Sequence, residues 1–230
     1  MSAADIWLVD LALPPVQIER CAHVLDASER ERAERFLRPV DRARFIMSHA
    51  ALRLVLSGAL ACRPSSIRIT ADAFGKPRLA DPGEGAIAFN LSHSGARALI
   101  GLAEAPSIGV DIEALRPIPD ALRIAHGHFA GDETAALADL PLEARASAFF
   151  DLWTRKEAVV KALGAGLSLP LDRFSVTVPP APPRMLRGGE AWTLATIEAG
   201  ADYAATVAVP ATGVTLRHHT LPTDWPDHLG

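Results

Sequence analysis

Hydrophobic positions recur along the chain with two different periods, and the switch between them marks the elements. Ile108, Val110 and Ile112 alternate with Gly109, Asp111 and Glu113, which is the period of a strand with one face in a core. Between 148 and 163 the period lengthens: Phe149, Leu152, Trp153, Val160 and Leu163 share one helical face, with Val159 at its edge. The same reading predicts strands over 6–11, 67–70, 87–91, 98–102, 174–178, 192–197 and 203–209. A short charged helix is expected after Ser28, with Glu31 reaching back in a capping box and Pro39 as the stop. Asp41 is expected to cap a longer helix on which Phe45, Leu52, Leu56 and Ala59 keep helical spacing, and Asp132 one over 133–140. Pro141 opens a long helix running to Leu163, closed by Gly164 and Gly166. Turns are expected at Phe74-Gly75-Lys76-Pro77 and Ser92-His93-Ser94-Gly95, and 179–187 reads as a proline-rich connector.

Long helix, glycine break and short strand appear twice, over 42–69 and 148–178. That repetition predicts two similar α/β lobes with a short connection near 103–119. At 230 residues the chain is long enough for a substantial core, and 49% hydrophobic with 22% charged residues is a globular composition. The net charge of −4 argues against nucleic acid as a partner, although local basic clusters can still bind phosphates. No apolar run of transmembrane length stands out, and the acidic start lacks the basic region of a secretion signal. Cys21 and Cys62 form no CxxC pair and fit reduced thiols in a cytoplasmic protein, without a zinc site.

Three pieces carry candidate chemistry. Asp111 and Glu113 project from the same strand face and repel each other unless a cation sits between them; hard oxygen ligands of this kind suit magnesium. A solvated strand end explains that hexapeptide equally well. In Trp153-Thr154-Arg155-Lys156-Glu157-Ala158-Val159-Val160-Lys161, Glu157 and Lys161 lie one turn apart, as an ordinary surface pair also would. Lys156 falls near the middle of the apolar face, where an ammonium is costly without an anion. The two turns, with Gly75, Lys76, Pro77, Ser92 and His93, combine small residues with hydrogen-bond donors suited to phosphate, although each alone is explained as a polar turn.

Together, GKPRL (75–79), FNLSHSG (89–95), IGVDIE (108–113) and LWTRKEAVVKALGAGLSLPLDRFSV (152–176) resemble the 4′-phosphopantetheinyl transferases of the Sfp type. The resemblance covers about the middle two-thirds of the chain. It implies an α/β (α+β) monomer of two pseudo-symmetric lobes, each a small, mostly antiparallel sheet packed by a long helix. The lobes divide as 1–107, with the GKP and SHSG loops, and 108–230, with the VDIE strand and the WxxKExxxK helix. Coenzyme A sits at the lobe interface, magnesium (or manganese) is the metal, and the partner is an apo acyl or peptidyl carrier protein in the cytoplasm.

Residue by residue, the resemblance implies that Asp111, Glu113 and Glu157 ligate the metal. It places Lys161 on phosphate and Lys156 at a basic position near the cofactor. Gly75, Lys76, Pro77, Ser92 and His93 hold the nucleotide and phosphates, Arg44 contacts the nucleotide, and Arg32 lies near the 3′-phosphate. Glu29 stands where some relatives carry lysine, and Glu133 matches an acidic position of unassigned role. Glu157 is open as ligand, base or both. A basic or apolar carrier-docking patch is expected around Arg123, His126, His128 and Phe129. Competing readings are a non-catalytic coenzyme A-binding module, a metal-dependent phosphohydrolase, and a structural protein whose acids form only ion pairs.

Overall fold

Strand alternation decides which face meets which layer. In chain order the elements are β1 (Ala3–Asp10), α1 (Pro15–His23), α2 (Ala27–Glu34), α3 (Pro39–Leu60), β2 (Ile69–Ala71), β3 (Pro77–Leu79), β4 (Ala88–Ser94), β5 (Arg97–Ala103), β6 (Gly109–Ala114), α4 (Ala121–His128), α5 (Gly131–Ala138), α6 (Leu142–Leu163), β7 (Ser175–Val176), β8 (Met185–Arg187), β9 (Thr193–Thr196), β10 (Tyr203–Val209) and β11 (Thr215–Thr220). The computed structural model describes residues 2–80, 87–189 and 191–230.

One sheet runs β11-β1-β5-β4 and another β6-β10-β9. Val9, Ala98, Ile100 and Leu102 turn to the helical side and pack with Phe45, Leu52, Val55 and Leu56 of α3. Their alternates Ala4, Ile6, Leu99 and Ala103 share a core with Ile108, Val110, Ile112, Ala205 and Val207 of the second sheet. The far face of that sheet, through Ala204 and Ala208, meets Phe149, Leu152 and Val159 of α6. The molecule is therefore layered α3, sheet, sheet, α6, and the two outer helices have the same 22-residue length. All ladders are antiparallel except β1 with β11.

The α/β two-lobed expectation holds. Several local expectations shift. Asp26, not Ser28, caps α2: Asp26 Oδ1 accepts from Glu29 N at 2.9 Å, and Asp26 N donates to Glu29 Oε2 at 3.0 Å. Pro39 ends one helix and occupies the first turn of the next, where its missing N–H costs nothing. β4 continues through Ser94, so the hairpin turn is only Gly95–Ala96, with Gly95 at φ +57°. Ala130 precedes α5, and Glu133, not Asp132, caps it by accepting from Ala130 N at 2.9 Å. The connector 179–187 ends in β8, paired with β7. The division at 107/108 also changes, because β11 returns to the first sheet and Leu221, Trp225 and Leu229 enter the first lobe's core. α3 is long and apolar enough to span a membrane by length and composition alone, but its apolar residues pack against the sheet.

Candidate active site at the lobe joint

Gly109 allows the site to form. A Cβ there would run into Ala158 O and Ala162 N, so only glycine lets α6 lie directly on β6. Ile108, Val110 and Ile112 are buried in the inter-sheet core, and their alternates Asp111 and Glu113 rise on the α6 side, toward Glu157 and Lys161.

Side chains, not a main-chain ladder, join β4 to β6. Val110 N donates to Asn90 Oδ1 at 2.9 Å, Ile112 N to Ser92 Oγ at 3.4 Å, and Ala114 N to Ser94 Oγ at 3.1 Å. The same hydroxyls then donate onward: Ser92 Oγ to Asp111 Oδ1 at 2.9 Å and Ser94 Oγ to Glu113 Oε2 at 2.9 Å. The Asn-x-Ser-x-Ser alternation of the first lobe thus orients both acids of the second. Ser94 was not anticipated, although its period-two spacing from Asn90 and Ser92 carried the signal.

Lys161 Nζ donates to Asp111 Oδ1 at 2.6 Å and to Ser92 Oγ at 2.9 Å. Asp111 Oδ2 is buried and has no hydrogen-bond partner. Burial raises the Glu113 pKa, and nearby Asp111 adds to this against the bond from Ser94. Burial likewise raises Glu157, with Asp111 and Glu113 outweighing Lys161. Three carboxylates therefore feel one another, although among the described residues no group of three His, Cys, Asp or Glu side chains is drawn together as a metal cage. That donor set fits magnesium, which takes one or two carboxylates and completes its shell with phosphate oxygens and water. The orphaned Asp111 oxygen fits it too.

Between α2, α3 and β4 lies a polar cavity of about 660 Å³, lined in part by Asp26, Glu29, Arg32, His49, Gly75 and His93. The Arg32 guanidinium lies 5.3 Å over the Phe45 ring, and Phe45 stacks on His49 at 4.0 Å. The His93 side chain is partly open to solvent, yet the crowding of protein about its ring and then the charges of His49, Lys161, Arg44 and Arg32 push its pKa down, to about 4. Arg44 is not part of the lining and stands 3.6 Å from Asp41, yet its charge reaches His93. An anion placed among Arg32, Arg44 and Lys161 near this ring would be stabilised, although Asp26 and Glu29 line the same cavity. Glu29 is not a failed phosphate contact: it accepts from Arg53 Nε at 2.7 Å and meets His49 Nδ1 at 2.9 Å. His49 went unnoticed in the sequence; one turn beyond Phe45, it had only helical spacing to reveal it.

Two basic residues assigned to the cofactor are placed elsewhere. Lys156 is fully buried, 2.7 and 2.6 Å from the two Glu133 oxygens and 2.9 Å from Phe174 O. Glu133 is the anion its position demanded, so Lys156 is removed from the cofactor set and Glu133 gains a role. Lys76 Nζ turns to Ser107, Ile108 and Ala162 instead of the polar cavity. In the expected docking patch Phe129 is buried against Phe149, and exposed Arg123 is paired with Asp120 at 2.7 Å. The apolar part of that patch is withdrawn.

Comparison with known proteins agrees with this architecture. Residues 107–208 match the 4′-phosphopantetheinyl transferase superfamily, and residues 14–105 match a 4′-phosphopantetheinyl transferase N-terminal family. The chain is 35% identical over 209 residues to 4′-phosphopantetheinyl transferase HetI of Nostoc sp., covering 90% of this chain and 88% of HetI. It is 34% identical over 168 residues to Sfp of Bacillus subtilis (strain 168), covering 73% of each, and 35% identical over 168 residues to ffp of Bacillus subtilis, again 73% of each. The chain belongs to the 4′-phosphopantetheinyl transferase superfamily and is a transferase of the Sfp type.

Proposed function

We propose that the chain transfers 4′-phosphopantetheine from coenzyme A to a serine of an apo carrier protein, as a cytoplasmic monomer using magnesium. The observation that carries this reading is Asp111. One of its oxygens is fixed by Lys161 and Ser92, the other is buried without a partner, and Ser92 precedes His93 of the cavity that also holds Arg32. The serine oxygen forms a bond to the pantetheine-bearing phosphorus, the pyrophosphate P–O bond breaks, and adenosine 3′,5′-bisphosphate leaves.

Asp111, Glu113 and Glu157 would hold magnesium, which when bound would supply charge stabilisation on the phosphoryl oxygens. The chain's own residues do the rest. Arg32, Arg44 and His93 bind the nucleotide phosphates, with His93 as a neutral N–H donor. Gly75 and Pro77 form a wall of the nucleotide cavity. Lys161 neutralises developing charge beside Asp111. Glu157 would hold metal or take the serine proton.

Incubation with coenzyme A, magnesium and a panel of apo carriers tests the reading by mass spectrometry. Carriers should gain one phosphopantetheine and adenosine 3′,5′-bisphosphate should appear in equal amount. Binding of coenzyme A without any carrier gain would instead mark a non-catalytic module, and nucleotide release without carrier would mark a hydrolase.

A further inference from the structure

The Lys76 ammonium has three partners, and none lies in the polar cavity. It donates to Ser107 Oγ at 2.6 Å, to Ala162 O at 2.9 Å and to Ile108 O at 3.3 Å. An ammonium has three protons, so this set leaves none for a phosphate. Ser107 Oγ also donates to Ala162 O, which closes the group. Ala162 is in the last turn of α6, where carbonyls lack helical partners and carry the negative end of the helix dipole. A lysine is well placed there and would lose those bonds by swinging away.

The neighbours of Lys76 point the other way. Gly75 and Pro77 line the 660 Å³ cavity with Arg32, His49 and His93. Lys76 lines an adjoining cavity of about 420 Å³ with Ser107, Ala162 and Gly164, and Pro77 and Phe89 line both. The turn that separates these directions is rigid. Asp72 Oδ1 accepts from Phe74 N at 2.8 Å and Lys76 N at 2.9 Å, and Gly75 takes φ +85°. Gly164 makes room for the lysine stem, since a Cβ there would lie 3.2 Å from Lys76 Cδ.

We propose that Lys76 is a positioning residue: its ammonium ties the β2–β3 wall of the nucleotide cavity to the C-terminal end of α6, the helix that carries Glu157 and Lys161. The tether sets the span between the nucleotide wall and the acids. The catalytic part of this proposal rests on the phosphopantetheine-transfer reading; the tether itself does not.

Lys76→Met, Lys76→Arg, Ser107→Ala and the Lys76→Met/Ser107→Ala pair are compared in two assays. In denaturant unfolding without ligand, the two single losses should be non-additive, because both remove one shared group of bonds. Additive losses overturn the tether whatever the protein binds. In calorimetry, Lys76→Met should weaken adenosine 5′-monophosphate, adenosine 3′,5′-bisphosphate and coenzyme A by the same factor, about tenfold. Lys76→Arg should recover part of it, and Ser107→Ala should shift all three the same way by less. In turnover, the KM for coenzyme A should rise while kcat stays within about twofold of wild type.

A loss that grows with the number of phosphates on the ligand would make Lys76 a phosphate contact and overturn the proposal. If Lys76→Met does not fold, Ser107→Ala carries the same test, and its failure to shift any of the three affinities overturns it as well. A wild-type chain that labels no carrier would refute the transfer reading, while the unfolding cycle would still decide the tether.

Discussion

Two lysine–carboxylate pairs sit on α6 five residues apart, and they are opposites. Lys156 and Glu133 are sealed. The carboxylate takes the ammonium on both oxygens, Val176 N at 2.7 Å and Ala130 N at 2.9 Å, and the ammonium adds Phe174 O and the Phe174 ring. Every polar atom is spoken for and neither side chain reaches solvent. Lys161 and Asp111 meet at the same 2.6 Å, but the lysine side chain is 28% exposed and Asp111 keeps an unpartnered oxygen. The first pair joins α5, α6 and β7; the second is built to meet something more. Distance alone does not separate structural from functional ion pairs; unspent hydrogen-bonding capacity does.

The largest expected effect breaks the open pair. Asp111→Asn and Glu157→Gln keep the shape and remove a charge, so each should lower carrier labelling by about 10²–10³-fold while far-UV circular dichroism stays that of wild type. Labelling within a few-fold of wild type in either variant would sink the assigned site. Next comes the sealed pair. Lys156→Met leaves Glu133 buried without its counter-charge, and should cost about 3–5 kcal/mol in denaturant unfolding. Adding Glu133→Leu removes that charge but strands Val176 N and Ala130 N, so it should return only part of that stability, with labelling per folded molecule near wild type. A stable double variant that labels no carrier would show that Lys156 belongs to the chemistry and that the contrast between the pairs is wrong.

The sequence made the open site legible because its signals are local. Alternation along 108–113 put Asp111 and Glu113 on one face, and helical spacing put Glu157 beside Lys161. It also flagged Lys156 as an ammonium in need of an anion, but the anion lies 23 residues away on another helix. No local period reaches that far, and resemblance then drew Lys156 toward the cofactor. The cap of α2 failed differently. Ser28-x-x-Glu31 and Asp26-x-x-Glu29 both read as capping boxes, and Glu29 prevails because Arg53 and His49 hold its carboxylate from α3. β11 was missed because exposed polar residues such as Arg217 and His218 break up its alternation, whereas α4 keeps helical spacing through Ala121 and Ala125 but is only eight residues long. Pro14 and Pro15 read as a stop, while Pro15 in fact opens α1.

The gentlest way to sharpen the comparison is to titrate His93, which follows Ser92 on β4 and feels the charge of Lys161. Free in an unfolded chain its ring takes a proton near 6.5, but in the folded protein only near 4, because the protein crowding this solvent-reaching ring and then His49, Lys161, Arg44 and Arg32 oppose the charge. The unfolded state therefore binds more protons between those values, and this group's contribution to stability, complete above about 6.5, is lost as pH falls toward 4. An anion among the same cations reverses part of their effect. Adenosine 3′,5′-bisphosphate should move the His93 midpoint upward, and by reciprocity its affinity should rise as pH falls through the liganded midpoint toward the free one. Ring NMR resonances, assigned with His93→Gln, measure both midpoints. A free-protein midpoint near 6.5, unmoved by the nucleotide, would mean that the cations do not converge on His93 and that the anion sits elsewhere.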